Sequence, residues 1–135
     1  MKYCAWLTAA VLVLACDSEP WANMSQSEIE VWKKLGYDAK QAQKMKRERV
    51  STAAAADWEQ VDLVGWDAIG PWKQKGFSPA QAGEWRQAGF EADDAAKWSA
   101  RQFKASEARE WRDGGFSLGQ ASKARGEGLA PIGAK

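Results

Sequence analysis

Phe77, Phe90, Phe103 and Phe116 are all four phenylalanines of the chain, and they are spaced by 13 residues. Five residues after each stands Ala82, Ala95, Ala108 or Ala121, and eight after stands Trp85, Trp98, Trp111 or Ala124. The same frame extends backwards through Met24, Ile29 and Trp32, then Tyr37, Ala42 and Met45, then Val50, Ala55 and Trp58. A unit at Leu63, Ala68 and Trp72 carries one extra residue. Thirteen residues at about 100° each rotate successive Trp positions by about 220°, so one continuous helix would carry no apolar stripe. A heptad seam fails for the same reason. Within one unit, however, Ala and Trp three residues apart share a helix face. The period therefore predicts eight short helices, each marginal alone and each burying its Ala and Trp against neighbours.

Every unit carries its own helix punctuation. Ser78 suits the N-cap, Pro79 the first helical position and Gln81 the third position of a capping box. Ser25 with Glu28, Asp38 with Gln41 and Ser117 with Gln120 repeat the pattern. At the other end Gly36, Gly76, Gly89 and Gly115 stand where a left-handed residue closes a helix, and the following apolar residue can complete a Schellman contact. The units at Val50 and Phe103 depart from this, with Arg49 and Gln102 at that place. Helices of about ten residues, about 15 Å long, are expected.

Val, Ile, Leu and Phe make only 20 of 135 residues, whereas Ala supplies 25 and Trp 9. Such aliphatic poverty leaves the buried surface to the aromatics. The fold class expected is all-α: a tandem array of about eight short helices, solenoid-like or a compact bundle, after an N-terminal signal helix. Its core is assigned to Trp32, Trp58, Phe77, Trp85, Phe90, Trp98, Phe103, Trp111 and Phe116. An exposed aromatic ladder stacking on sugars is the alternative use of these rings, but it does not explain why Ala recurs with each Trp.

The irregular unit divides the array into repeats 1–3 over residues 24–62, an irregular repeat 4 over residues 63–76, repeats 5–8 over residues 77–128, and a tail over residues 129–135. Gly70 followed by Pro71 should stop or kink the helix near Ile69. A ligand groove, if one exists, is expected at this junction, with Trp66 and Trp72 as aromatic walls and Asp62 and Asp67 as polar rim. The competing reading is an insertion absorbed as a bent connection. Lys40, Lys44, Lys46, Arg47 and Arg49 form a basic cluster, which reads either as a solvated helix face or as a surface drawn to an anionic leaflet.

Composition and motifs also bear on chemistry. The chain has no His and a formal net charge of +1. Imidazole chemistry is thereby excluded, and there is no basic footprint for nucleic acid. Carboxylates are scattered over positions that vary between units, and Glu91, Asp93 and Asp94 lack the order of a calcium loop. No catalytic set, metal or cofactor is assigned, and the chain is not expected to be an enzyme.

Lys2 gives the chain a positive start, and residues 5–15 form an apolar run too short for a comfortable membrane span. The run ends in Val13, Leu14, Ala15 and Cys16, which resembles the lipobox of bacterial lipoproteins. The resemblance implies cleavage after Ala15, lipidation of Cys16 and export, so that residues 1–15 are a signal peptide and residues 16–23 a polar tether. Asp17 resembles the inner-membrane retention signal of such lipoproteins. The only other cysteine, Cys4, lies inside the segment that would be removed. The expected protein is a membrane-anchored, periplasm-facing binding or scaffold module of the cell envelope, partnered by the membrane through lipidated Cys16 and by other envelope proteins. Peptidoglycan or glycan binding through exposed Trp residues is one alternative; an amphipathic protein lying on the lipid surface is another.

Overall fold

The computed structural model describes residues 19–131, so the signal segment, Cys16 and Asp17 lie outside the described residues. A short 3-10 turn, Glu19–Trp21, precedes eight α-helices among the described residues. They are α1 (Gln26–Lys34), α2 (Ala39–Arg47), α3 (Thr52–Glu59), α4 (Trp66–Gln74), α5 (Pro79–Gln87), α6 (Ala92–Ala100), α7 (Ala105–Asp113) and α8 (Leu118–Gly126). Seven have nine residues and α3 has eight. No strand occurs among the described residues.

The helices start where the capping residues place them. Full capping boxes form at Asp38 with Gln41, Ser78 with Gln81 and Ser117 with Gln120. Ser25 and Ser51 each accept one amide, those of Glu28 and Ala54. At α7 only half a box is possible, because the Lys104 ammonium has nothing to accept with; Glu107 reaches back to the Lys104 N–H at 3.0 Å.

Seven of the eight helices, all but α3, stop by one device. Gly36, Gly76, Gly89, Gly115 and Gly128 all have φ of +80° to +88°. In each, the next residue donates its amide to the carbonyl at the Trp position five residues back, as in Phe90 to Trp85 at 2.9 Å. This is the 6→1 bond of a Schellman motif, and it explains the five-residue Trp to Phe spacing. The bonded pair also packs ring edge to ring face: centroids are 5.0 Å apart for Trp32 and Tyr37, 5.1 Å for Trp85 and Phe90, and 4.8 Å for Trp111 and Phe116.

The units at Val50 and Phe103 do not depart from this geometry. Arg49 and Gln102 adopt φ of +61° and +67° without being glycine, and Asp62 does so at +61°. A left-handed conformation strains a residue with a Cβ by about 1–2 kcal/mol. Gln102→Gly is therefore expected to raise stability by about 1 kcal/mol, since the exposed side chain is lost while the backbone pattern stays. Thermal unfolding followed by circular dichroism checks this; an unchanged or lower Tm would count against strain at Gln102.

Residues pack into two units, residues 19–60 with 64–66, and residues 61–63 with 67–131. In the first, α1 contacts α3, and α2 contacts the 3-10 turn. The carbonyls of Ala22 and Asn23 accept bonds of 2.8 Å from Gln43 and Lys46, so residues 19–23, assigned to the tether, are held against α2. In the second, α5 touches both α6 and α7, and α6 touches α7. Rings alternate there through Trp72, Phe77, Trp85, Phe90, Trp98 and Phe103, each next pair 5.0–6.4 Å apart.

Trp32, Trp58, Trp85, Trp98 and Trp111 are 0–6% exposed. Phe77, Phe90 and Phe103 are buried with them. Phe116 is a correction, being only half-buried. Its own unit carries Ala124 where six of the other seven carry Trp, and the next apolar turn residue, Leu129, is 57% exposed, so Trp111 is the one ring against it. Trp32 Nε1 is fully buried without a hydrogen-bond partner.

The irregular unit needs two further corrections. The small position three before Trp72 is filled by Ile69, which is 0% exposed, and not by Ala68, which is half-buried. The extra residue is thus taken up before the helix, in a connection where Gly65 adopts φ of +84°. Nor does the helix stop at Ile69, for α4 runs to Gln74 with Pro71 inside it. Gly70 has no Cβ to clash with the proline ring, and the carbonyl deprived of its donor belongs to Asp67, on the exposed side where water can serve it.

Candidate functional site

Of the four residues proposed for a groove, Trp66 belongs to the first unit and Asp62, Asp67 and Trp72 to the second. Asp62 is exposed and occupies the left-handed position that ends a helix. Asp67 and Trp72 line a hollow of about 340 Å³ together with Leu63, Pro71, Arg86 and Asp93. Trp72 offers that hollow almost no face, because it is 3% exposed and packs edge-on against Phe77 at 5.2 Å. The rim is acidic, and Lys75 binds it: Lys75 Nζ lies 2.9 Å from Asp93, and this bond holds the Asp93 carboxyl below its usual range.

A larger hollow of about 750 Å³ lies along α5 and α7 and was not signalled by any motif. Its walls are mixed in charge, with Glu84, Glu110 and Asp113 beside Lys104 and Arg109. Its aromatic floor, Trp85 and Phe103, is 5% and 3% exposed. Among the described residues no polar or charged residue is buried. No three Asp or Glu side chains converge to hold a metal ion among the described residues.

Sequence reasoning missed a set of cations that tie units together. Arg112 donates to the carbonyls of Gly89 at 2.9 Å and Ala88 at 2.8 Å, and its guanidinium lies 4.1 Å from the centre of the Phe90 ring. Arg125 does the same one unit later, to Arg101 and Gln102, over Phe103 at 3.7 Å. Arg86 reaches the Val61 carbonyl. These carbonyls sit at helix ends, where the last turn leaves acceptors without a partner. The signal was present: Lys46, Arg86, Arg112 and Arg125 each directly follow the Trp position of their unit.

The basic cluster resolves into two sets. Lys46 is satisfied by Asn23 and by Glu28 at 3.1 Å. On α2, Lys40, Lys44 and Arg47 fall within about 60° of one another at about 100° per residue, opposite the buried Ala42 and Met45. Beside this row Lys44 lies 5.6 Å from the centre of the Trp66 ring and pairs with Glu48 at 2.6 Å. Trp66 is half-buried and Val64, two residues before it, is 46% exposed. Tyr37 secures this corner: its buried hydroxyl accepts the Gly65 amide at 2.8 Å, and burial pushes the phenol pKa up.

Compared with protein families, curated proteins and solved structures, the chain matches none. Among the described residues no helix is long and apolar enough to cross a membrane.

Proposed function

We propose that the chain is a bacterial lipoprotein whose helical repeats form a non-catalytic binding or scaffold module, tethered in the cell envelope through Cys16. The observation that carries this is the run ending Val13, Leu14, Ala15, Cys16 at the spacing a lipobox requires. The array supports the second half of the reading. Most of its repeat aromatic residues are consumed by packing and its charged groups remain at the surface, as suits a module that presents faces to partners rather than one that performs chemistry. The glycan reading finds less support, because stacking on sugars needs open indole faces and the repeat Trp residues are 0–6% exposed.

Labelling of bacteria expressing the chain with a palmitate analogue tests the anchor. The expected product carries label, has lost residues 1–15 and partitions with membranes, and Cys16→Ser abolishes all three. An unlabelled chain that retains residues 1–15 would refute the reading.

A further inference from the structure

We infer that the outward row of α2, with Trp66 and Val64 at its edge, is a seat for an anionic lipid surface. Lys40, Arg47 and Arg49 are exposed and have no carboxylate partner among the described residues. Two neighbouring acids have partners of their own. Asp38 turns its carboxylate onto the Gln41 amide at 2.8 Å, and Glu48 is held by Lys44. Lys40 and Arg47 thus stand opposite the core, and Arg49 just past the end of the helix, without a direct ion-pair partner.

Charge alone would suit any acidic partner. Trp66 and Val64 make the patch more particular. An indole and an exposed aliphatic side chain beside cations can enter the headgroup layer while the cations meet phosphates, which is how interfacial helices and Trp belts are placed. The row is the outward face of a helix, suited to a broad surface. Lys44 links the two halves, since its ammonium lies over the Trp66 ring and one helical turn from Lys40. Of the Trp residues in α1–α8, Trp66 is the one left half-buried, whereas the others are 0–6% exposed; Trp21, in the 3-10 turn, is also half-buried, beneath the Lys33 ammonium. Trp66 also lies outside the 13-residue frame that the packed Trp residues occupy, so the repeat packing does not account for it.

The setting in the envelope rests on the lipoprotein reading, but the measurement separates the two. The full chain is mixed with vesicles of phosphatidylcholine, with or without phosphatidylglycerol, and sedimented. Binding to phosphatidylcholine alone reports residues 1–16. The patch adds a gain that depends on phosphatidylglycerol, about a hundredfold or more for three to four charges, and that salt suppresses. The triple variant Lys40→Glu, Arg47→Glu, Arg49→Glu, with its helicity confirmed by circular dichroism, should lose that gain and keep the charge-independent binding. Brominated acyl chains should quench Trp emission further when phosphatidylglycerol is present, and Trp66→Phe should remove that phosphatidylglycerol-dependent part. A chain that shows no gain with phosphatidylglycerol overturns the proposal and leaves the face to an acidic protein partner. Gain retained by the triple variant, or quenching unchanged by Trp66→Phe, overturns it as well. None of these outcomes touches the lipidation of Cys16.

Discussion

Trp98→Ala is expected to destabilise the chain by about 3–5 kcal/mol, the range for removing a large buried ring. Trp98 is 6% exposed and its ring stands edge-on between Phe90 at 5.9 Å and Phe103 at 5.0 Å. Its carbonyl also receives the Phe103 amide at 3.2 Å, so ring and backbone close the same turn. Both neighbouring phenyl rings lose a face in the variant, and a nine-residue helix has little else to hold it. Urea unfolding of the two chains measures the difference, and a loss below about 1 kcal/mol would show that the ring is not structural. In a double-mutant cycle with Phe103→Leu the pair should couple by about 0.5–1.5 kcal/mol, the usual worth of an edge-to-face contact beyond its area.

Gly89→Ala is expected to destabilise by about 2–3 kcal/mol, whereas Gly115→Ala should stop at about 1–2 kcal/mol. Both glycines hold nearly the same left-handed backbone, φ of +87° and +88°. They differ in what a Cβ would meet. At Gly115 there is nothing within 4 Å, while at Gly89 the Arg112 guanidinium lies 2.8 Å away. Arg112 can swing aside, but in doing so it leaves the carbonyls of Ala88 and Gly89 and the Phe90 ring. Arg112→Ala should therefore remove the gap between the two glycine variants. Equal losses at Gly89 and Gly115 in the parent chain would mean that the arginine tie contributes nothing to stability.

Both expectations separate what is local from what is not, and the same division governs how much could be read in the residues. Capping at Asp38, Ser78 and Ser117 and the left-handed stops at Gly36, Gly76, Gly89 and Gly115 were legible, because each uses partners within about five residues. The burial of the repeat Trp residues followed from the same beat. Arg49 and Gln102 were misjudged as exceptions: the 6→1 bond and the ring pair that follow them outweigh the strain of a Cβ at positive φ. Pro71 does not end its helix, because the rule against helix before proline rests in part on a Cβ that Gly70 lacks. Gly83 carries a lesson of the same kind. Inside a helix it looks unfavourable, yet a Cβ there would come 2.7 Å from Val61.

The candidate groove was less legible than the fold. Trp66, Trp72, Asp62 and Asp67 were grouped because they surround an irregularity in the chain, but nearness in sequence does not decide which side chains share a surface. Trp72 went to the core, Trp66 went beside Lys44, and Asp67 went to an acidic hollow.

What the residues determined alone is the run of eight short helices and the faces they bury, since a cap, a turn and an Ala with a Trp one turn later are complete within 13 residues. Only the tertiary structure decided that Ile69 rather than Ala68 enters the core, that Arg112 and Arg125 close helix ends 23 residues behind them, and that Lys44 meets Trp66. Those contacts depend on the angle at which each helix leaves its turn and on how successive angles add, a quantity that no single unit contains.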